Sequence, residues 1–165
     1  MEETADDSTV GGAAEEGQEA DPVDDPAEEQ EEESGKEEDP LYHFGDTVTY
    51  ENGLKVTIGK PTTLKNYAYP EDVEKGQKVI RFKITVDNQT DHRLDPSEFT
   101  MTASSGDDEA EFAIDSEHGL EGTPDTKILR GKKRSWDYGY IVTKGQDFVL
   151  EISPDYETEE AIFVS

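Results

Sequence analysis

The residues able to do chemistry fall into a few groups, beginning with three histidines, His43, His92 and His118. None lies in the H-E-x-x-H spacing that would put two zinc ligands and a base on one helix face. No G-x-S-x-G elbow presents an activated serine either, and Ser104-Ser105-Gly106 reads as a turn. A Ser/His/Asp assembly drawn from distant loops is defined by geometry that spacing alone does not show. Asp87, Asp91 and Asp95 recur at four-residue steps across an expected turn. Asp107, Asp108, Glu109, Glu111, Asp115 and Glu117 crowd a second. Calcium takes roughly six to eight oxygens in a shaped loop, so Asp87, Asp91 and Asp95 are the metal candidates. Solubilising charge is the plainer reading, and no other cofactor is expected.

Lys127, Arg130, Lys132, Lys133 and Arg134 form the one basic cluster. They are the candidates for binding an anionic polymer such as teichoic acid, or the chain's own acidic segment. The alternative is protection of a strand start against edge pairing. Trp136, Tyr138 and Tyr140 alternate, as a carbohydrate platform would, but alternating rings more commonly fill sandwich interiors. Asn88-Gln-Thr90 fits the N-glycosylation pattern, which matters only in a eukaryotic secretory setting.

These groups are embedded in a chain of 165 residues with 42 acids, 15 bases and a net charge of -27. Such a balance opposes direct binding to nucleic acid or to anionic lipid. No apolar run is long enough to span a membrane as a helix. With no cysteine, thiol catalysis, disulfides and thiolate metal sites are excluded. The charge is uneven: residues 1–40 hold 18 acids and one base, and every aromatic residue follows them. A segment so poor in apolar groups does not offset its ordering entropy, so 1–40 is expected to be a disordered acidic tail. A solvated spacer is the simplest role for it. A diffuse calcium store or a ligand for a basic partner is the sharper one. Met1 followed at once by acids is no export signal. The chain is therefore either cytosolic or a mature form.

From residue 41 the pattern is that of strands. Asp46–Tyr50 and Leu54–Ile58 flank Asn52-Gly53, the signal of a two-residue type I′ hairpin. In Lys78–Val86, Ile80, Phe82, Ile84 and Val86 take one face, and Arg81, Lys83 and Thr85 the other. Phe99–Ala103, Ala110–Ile114, Arg134–Val142, Phe148–Ile152 and Glu160–Val164 complete about eight short strands with no convincing helix. One polar face per strand implies antiparallel pairing. The fold class is an all-β, Ig-like antiparallel β-sandwich over 41–165, held by packing alone.

The order of Phe44-Gly-Asp-Thr-Val48, Asn52-Gly-Leu-Lys-Val56, Phe82-Lys-Ile-Thr-Val-Asp-Asn88, Leu129-Arg-Gly-Lys132 and Ala161-Ile-Phe163 resembles a family of Ig-like β-sandwich domains of unknown function. They occur in bacterial surface lipoproteins and secreted proteins, and are related to the secreted immunoprotective antigen of mycobacteria. One turn departs: the family has Pro-Gly where this chain has Arg130-Gly131. The resemblance implies an export signal and lipid-modified cysteine in the precursor, a polar linker, and an extracytoplasmic location. It implies no catalysis. The expected function is a monomeric, non-catalytic module that binds a protein or cell-envelope polymer, held off the surface by the acidic spacer. The alternatives are a hydrolase with a loop-assembled site and an acidic cytosolic protein of a salt-adapted organism.

Overall fold

The computed structural model describes residues 40–155 and 158–165. Apart from Pro40, the expected acidic tail lies outside them. Eleven strands are described: β1 Leu41–His43, β2 Thr47–Thr49, β3 Leu54–Ile58, β4 Thr62–Thr63, β5 Gln77–Asn88, β6 Thr100–Ser105, β7 Asp108–Glu109, β8 Glu111–Phe112, β9 Lys132–Thr143, β10 Phe148–Ser153 and β11 Ala161–Val164. One sheet runs β1-β11-β10-β6-β7. The other runs β2-β3-β5-β9-β8, with β4 also on β5. The two sheets stack as a sandwich. The helical elements described are three single 3-10 turns.

The long strands sit where alternation put them. Ile80, Phe82, Ile84 and Val86 are buried, as are Leu54, Val56 and Ile58 opposite and Phe148, Leu150 and Ile152 across the sandwich. Phe82 lies at the centre of a ring cluster, with centroids of Phe44, Phe148 and Tyr140 at 6.2, 6.1 and 6.2 Å. β5 and β9 pair antiparallel over their full length, from Gln77↔Thr143 to Asn88↔Lys132.

Four details differ from the pattern. First, β1 was not expected and pairs parallel with β11, so the sandwich is not purely antiparallel. A three-residue strand leaves too little alternation to read. Second, β2 and β3 are joined by four residues, Tyr50–Gly53, with Gly53 N–H donating to Tyr50 O at 3.0 Å, rather than by a type I′ pair. Asn52 is not at positive φ, whereas Gly53 sits at +93°. Asn52 Oδ1 instead accepts from the Leu54 N–H at 3.0 Å. That arrangement has the form of a turn closed by a glycine bulge. Third, the expected strand 110–114 is broken. β7 pairs with β6 and β8 with β9, so the chain changes sheets at Ala110 and leaves Ile114 exposed.

Fourth, part of the outer face of β5–β9 is not wet. Val79 and Ile141 are buried there with Ala113 and Leu120, and Leu64, Tyr67 and Val73 pack against them. Gly139 makes room for this layer: a Cβ there would lie 2.6 Å from Leu120 Cδ1 and 3.1 Å from the Ile80 carbonyl. The Leu129–Lys132 turn keeps its logic despite Arg130. Lys132 N–H donates to Leu129 O at 3.0 Å and Gly131 takes φ +71°, as the third position of a type II turn requires.

Candidate functional site

At one end of the sandwich, the turn after β5 meets the segment leading into β9. Asn88 is fully buried and joins them. Its Nδ2 donates to the His92 and Ile128 carbonyls, both at 2.9 Å. Its Oδ1 accepts from Thr90 N–H at 3.0 Å and from the Thr90 hydroxyl at 2.7 Å. Leu94 and Ile128 add a reciprocal backbone bridge. The Asn88-Gln-Thr90 pattern is therefore an internal clamp. Both amide hydrogens are spent and the side chain is sealed from solvent, so the folded domain offers no glycan acceptor there.

This clamp brings the metal candidates and the basic candidates to the same end, where they pair with one another. Lys133 Nζ lies 3.5 Å from Asp87, its cross-strand neighbour, and Lys127 Nζ lies 3.1 Å from Asp95. Asp91 contacts His92 at 2.8 Å. The Gln89 amide, followed by Lys133 and Lys55, holds the Asp87 carboxyl below its ordinary range. The Ser97 hydroxyl and Lys127 lower Asp95 to about 2. The aspartates do not converge: among the described residues no group of three or more His, Asp or Glu side chains is placed to hold a metal. Asp95 caps a 3-10 turn instead, accepting from Ser97 N–H.

The basic cluster is divided too. Lys133 points to the outer sheet face, Lys132 and Arg134 alternate to the other side, and Lys127 and Arg130 stand in the preceding loop. What remains after pairing is a local surplus of positive charge. Over residues 87–98 and 125–134 six bases, Arg93, Lys127, Arg130, Lys132, Lys133 and Arg134, stand against five acids, Asp87, Asp91, Asp95, Glu98 and Asp125. Arg93, Arg130 and Lys132 are exposed, and none has an ion-pair partner within 4 Å among the described residues. Arg93 joins the site only through the fold, so sequence clustering missed it.

The histidines stay apart. His43 is on β1 and His92 on the clamp loop. His118 Nδ1 meets Asp115 Oδ2 at 2.7 Å. Asp115 is fully buried and also accepts from the Ala68 N–H at 3.0 Å, tying two loops together. Burial pushes the Asp115 carboxyl up, but the Ala68 N–H and His118 outweigh it and hold it below its ordinary range. Among the described residues no hydroxyl hydrogen-bonds to the His118 or His92 ring. The second acidic group also disperses. Asp107 is in a turn and Asp108 in β7, Glu109 stands at the mouth of a lateral cleft, Glu111 lies opposite Ile141 on the outer face, and Asp115 is internal. Of the aromatic run, Tyr140 is core, while Trp136 and Tyr138 pack partly exposed against it.

No family model matches the sequence, and neither does any curated protein. Solved structures do match. A candidate lipoprotein of Bacillus subtilis, ycdA, has a TM-score of 0.58 at 18% identity, over 74% of this chain and 38% of that one. The chain thus spans well under half of ycdA. The secreted Mycobacterium tuberculosis protein MPT63 has a TM-score of 0.54 at 14% identity, over 77% of this chain and 98% of that one. The yjhA protein of Bacillus subtilis also has 0.54, at 12% identity, over 74% and 97%. What they share with this chain is the fold. The resemblance read from the order of residues, to Ig-like domains of surface and secreted proteins, agrees with these structural matches. Among the described residues no helix is long and apolar enough to cross a membrane.

Proposed function

We propose that the domain is a non-catalytic, extracytoplasmic binding module of lipoprotein-type or secreted character, taking an anionic cell-envelope polymer at the Asn88 end. One observation carries the reading: a surplus of cations, fixed by a buried clamp, on a chain whose net charge is -27. Elsewhere the acidic surface repels a polyanion, so attraction is confined to this pole and orients the encounter. Shared fold with a candidate lipoprotein and a secreted protein supports the compartment. Residues 1–40, with 18 acids and one base, serve in this reading as the spacer that keeps the remaining faces clear of an anionic surface.

The test is calorimetry with a purified phosphodiester wall polymer. Wild-type binding weakens as added salt shortens the screening length. An Arg130→Ala/Lys132→Ala variant binds at least about tenfold more weakly, a loss of roughly 1.4 kcal/mol. Equal binding by the variant, or salt-independent binding, overturns the assignment. Recovery of the native protein from the cytosol rather than the envelope or medium overturns the compartment.

A further inference from the structure

Where the chain passes from β7 to β8 it leaves one sheet for the other, and the lateral edge between β6 and β9 stays open. The edge strands there are two residues each and pair over two residues each. The result is a cleft of about 500 Å³ whose walls include Met101, Phe112, Tyr138 and Tyr140, with Glu109 and Glu111 among its lining residues. This size falls in the ordinary range for small-molecule sites.

The walls are aromatic. The Phe112 and Tyr138 rings have centroids 4.5 Å apart and Tyr140 lies 5.6 Å from Tyr138. Phe112 and Tyr140 meet edge-on at 6.2 Å, so the three ring faces are not parallel and form a corner. Phe112 and Tyr138 are partly exposed, and Tyr140 lies beneath them. Burial, assisted by Tyr138 and by the Glu109 carboxylate, raises the Tyr140 phenol, so the phenol stays neutral while the carboxylate's field reaches the cleft. Glu109 is exposed, and among the described residues no base pairs with it, whereas Glu111 lies opposite Ile141 in the ladder and so on the outer face, away from the rings. Ring faces with negative quadrupoles beside the unneutralised Glu109 carboxylate complement an organic cation. A neutral apolar guest gains nothing from that carboxylate, and an anion is repelled by it.

We propose that this lateral cleft is a binding site for a small substituted ammonium ion. Its alkyl groups rest on Phe112 and Tyr138, and its charge is balanced by Glu109. The site lies apart from the cationic pole and does not depend on it.

The full chain is titrated calorimetrically with choline, and with its neutral isostere 3,3-dimethylbutanol. The fluorescence of Trp136, the one tryptophan and two residues from Tyr138 on the same strand face, gives a second readout. Choline is expected to bind saturably and at least about tenfold more tightly than the isostere. Tyr138→Leu is expected to abolish that preference. Because Tyr138 packs against the core, a second variant, Glu109→Gln, alters only an exposed side chain. It should reduce choline affinity several-fold with an unchanged melting temperature. Equal affinity for choline and the isostere, preference for a neutral hexose, no saturation, or full binding by the Glu variant each overturn the proposal. Loss of polymer binding in Arg130→Ala/Lys132→Ala, with choline binding intact, separates this site from the pole.

Discussion

Asn88→Ala tests whether the buried clamp holds the loops of the cationic pole. Four hydrogen bonds disappear, two donated by Nδ2 and two accepted by Oδ1. Three of the four partners have somewhere else to turn. Ile128 O keeps the Leu94 N–H at 2.9 Å. His92 O keeps the Thr90 hydroxyl at 3.1 Å, which is also where that hydroxyl's proton can go. The Thr90 N–H alone is orphaned in the interior. Four bonds at about 1 kcal/mol net each, with one buried donor unsatisfied and some relaxation, place the cost at about 3–5 kcal/mol. Asn88→Asp sharpens the test at constant shape. Its carboxylate retains both Thr90 donors but faces two carbonyl oxygens with no proton to offer. The folded-state pKa is therefore raised above the unfolded value of about 3.9. A raised folded pKa gives stability that is present below the unfolded pKa and lost as pH rises through the folded one. The Asn88→Asp penalty, measured against wild type by urea unfolding, should thus be smaller near pH 4 than at pH 7. An alanine penalty under about 1 kcal/mol, or an aspartate penalty that ignores pH, refutes the clamp.

Phe82→Ala should cost about 3–5 kcal/mol in the same assay, because it removes the ring touched by Phe44, Tyr140 and Phe148. Lys83→Ala, one residue along and exposed, should cost less than about 1 kcal/mol even though it releases Asp137. Gly139→Ala should destabilise by about 1–3 kcal/mol, since the new methyl meets Leu120 and the Ile80 carbonyl, while Gly131→Ala acts only through its positive φ. The Asp115 carboxyl is held below the ordinary carboxylate range, so it contributes stability that is present above the unfolded pKa and lost as pH falls through the folded one. Asp115→Asn should therefore flatten the acid limb of the stability profile. Lys127→Met should move the Asp95 titration, followed by NMR, upward from about 2.

The long strands were legible because a half-buried strand writes its burial into every second residue; Ile80 to Val86 is the clearest case. β1, β4 and β7 were not legible, since two or three residues carry no period and owe their pairing to neighbours far along the chain. The buried layer outside β5 and β9 was hidden for a related reason. Ala113 and Leu120 are loop residues, and only the close approach at Gly139 shows that a second surface packs there. At the candidate site, the residue types were visible but their relations were not. Asp87, Asp91 and Asp95 look like ligands until the fold places Lys133 and Lys127 against two of them. Asn88-Gln-Thr90 fits the glycosylation pattern, and a sequence does not reveal that this asparagine is sealed inside.

The parallel pairing of β1 with β11 has a mechanical consequence. Leu41, Tyr42 and His43 lie against Ile162, Phe163 and Val164 in the same direction. Tension applied between Leu41 and Val164 therefore draws the two strands past each other lengthwise. Their cross-links share the load at once instead of opening one by one, and the ring contact of Tyr42 with Phe163 at 5.5 Å must slide with them. Forced unfolding is governed by the rate of crossing the first barrier, and lengthwise shear sets that barrier higher than peeling would. A domain pulled along this line resists as a clasp, whereas a pull applied at the β2–β3 hairpin would open it as a zipper.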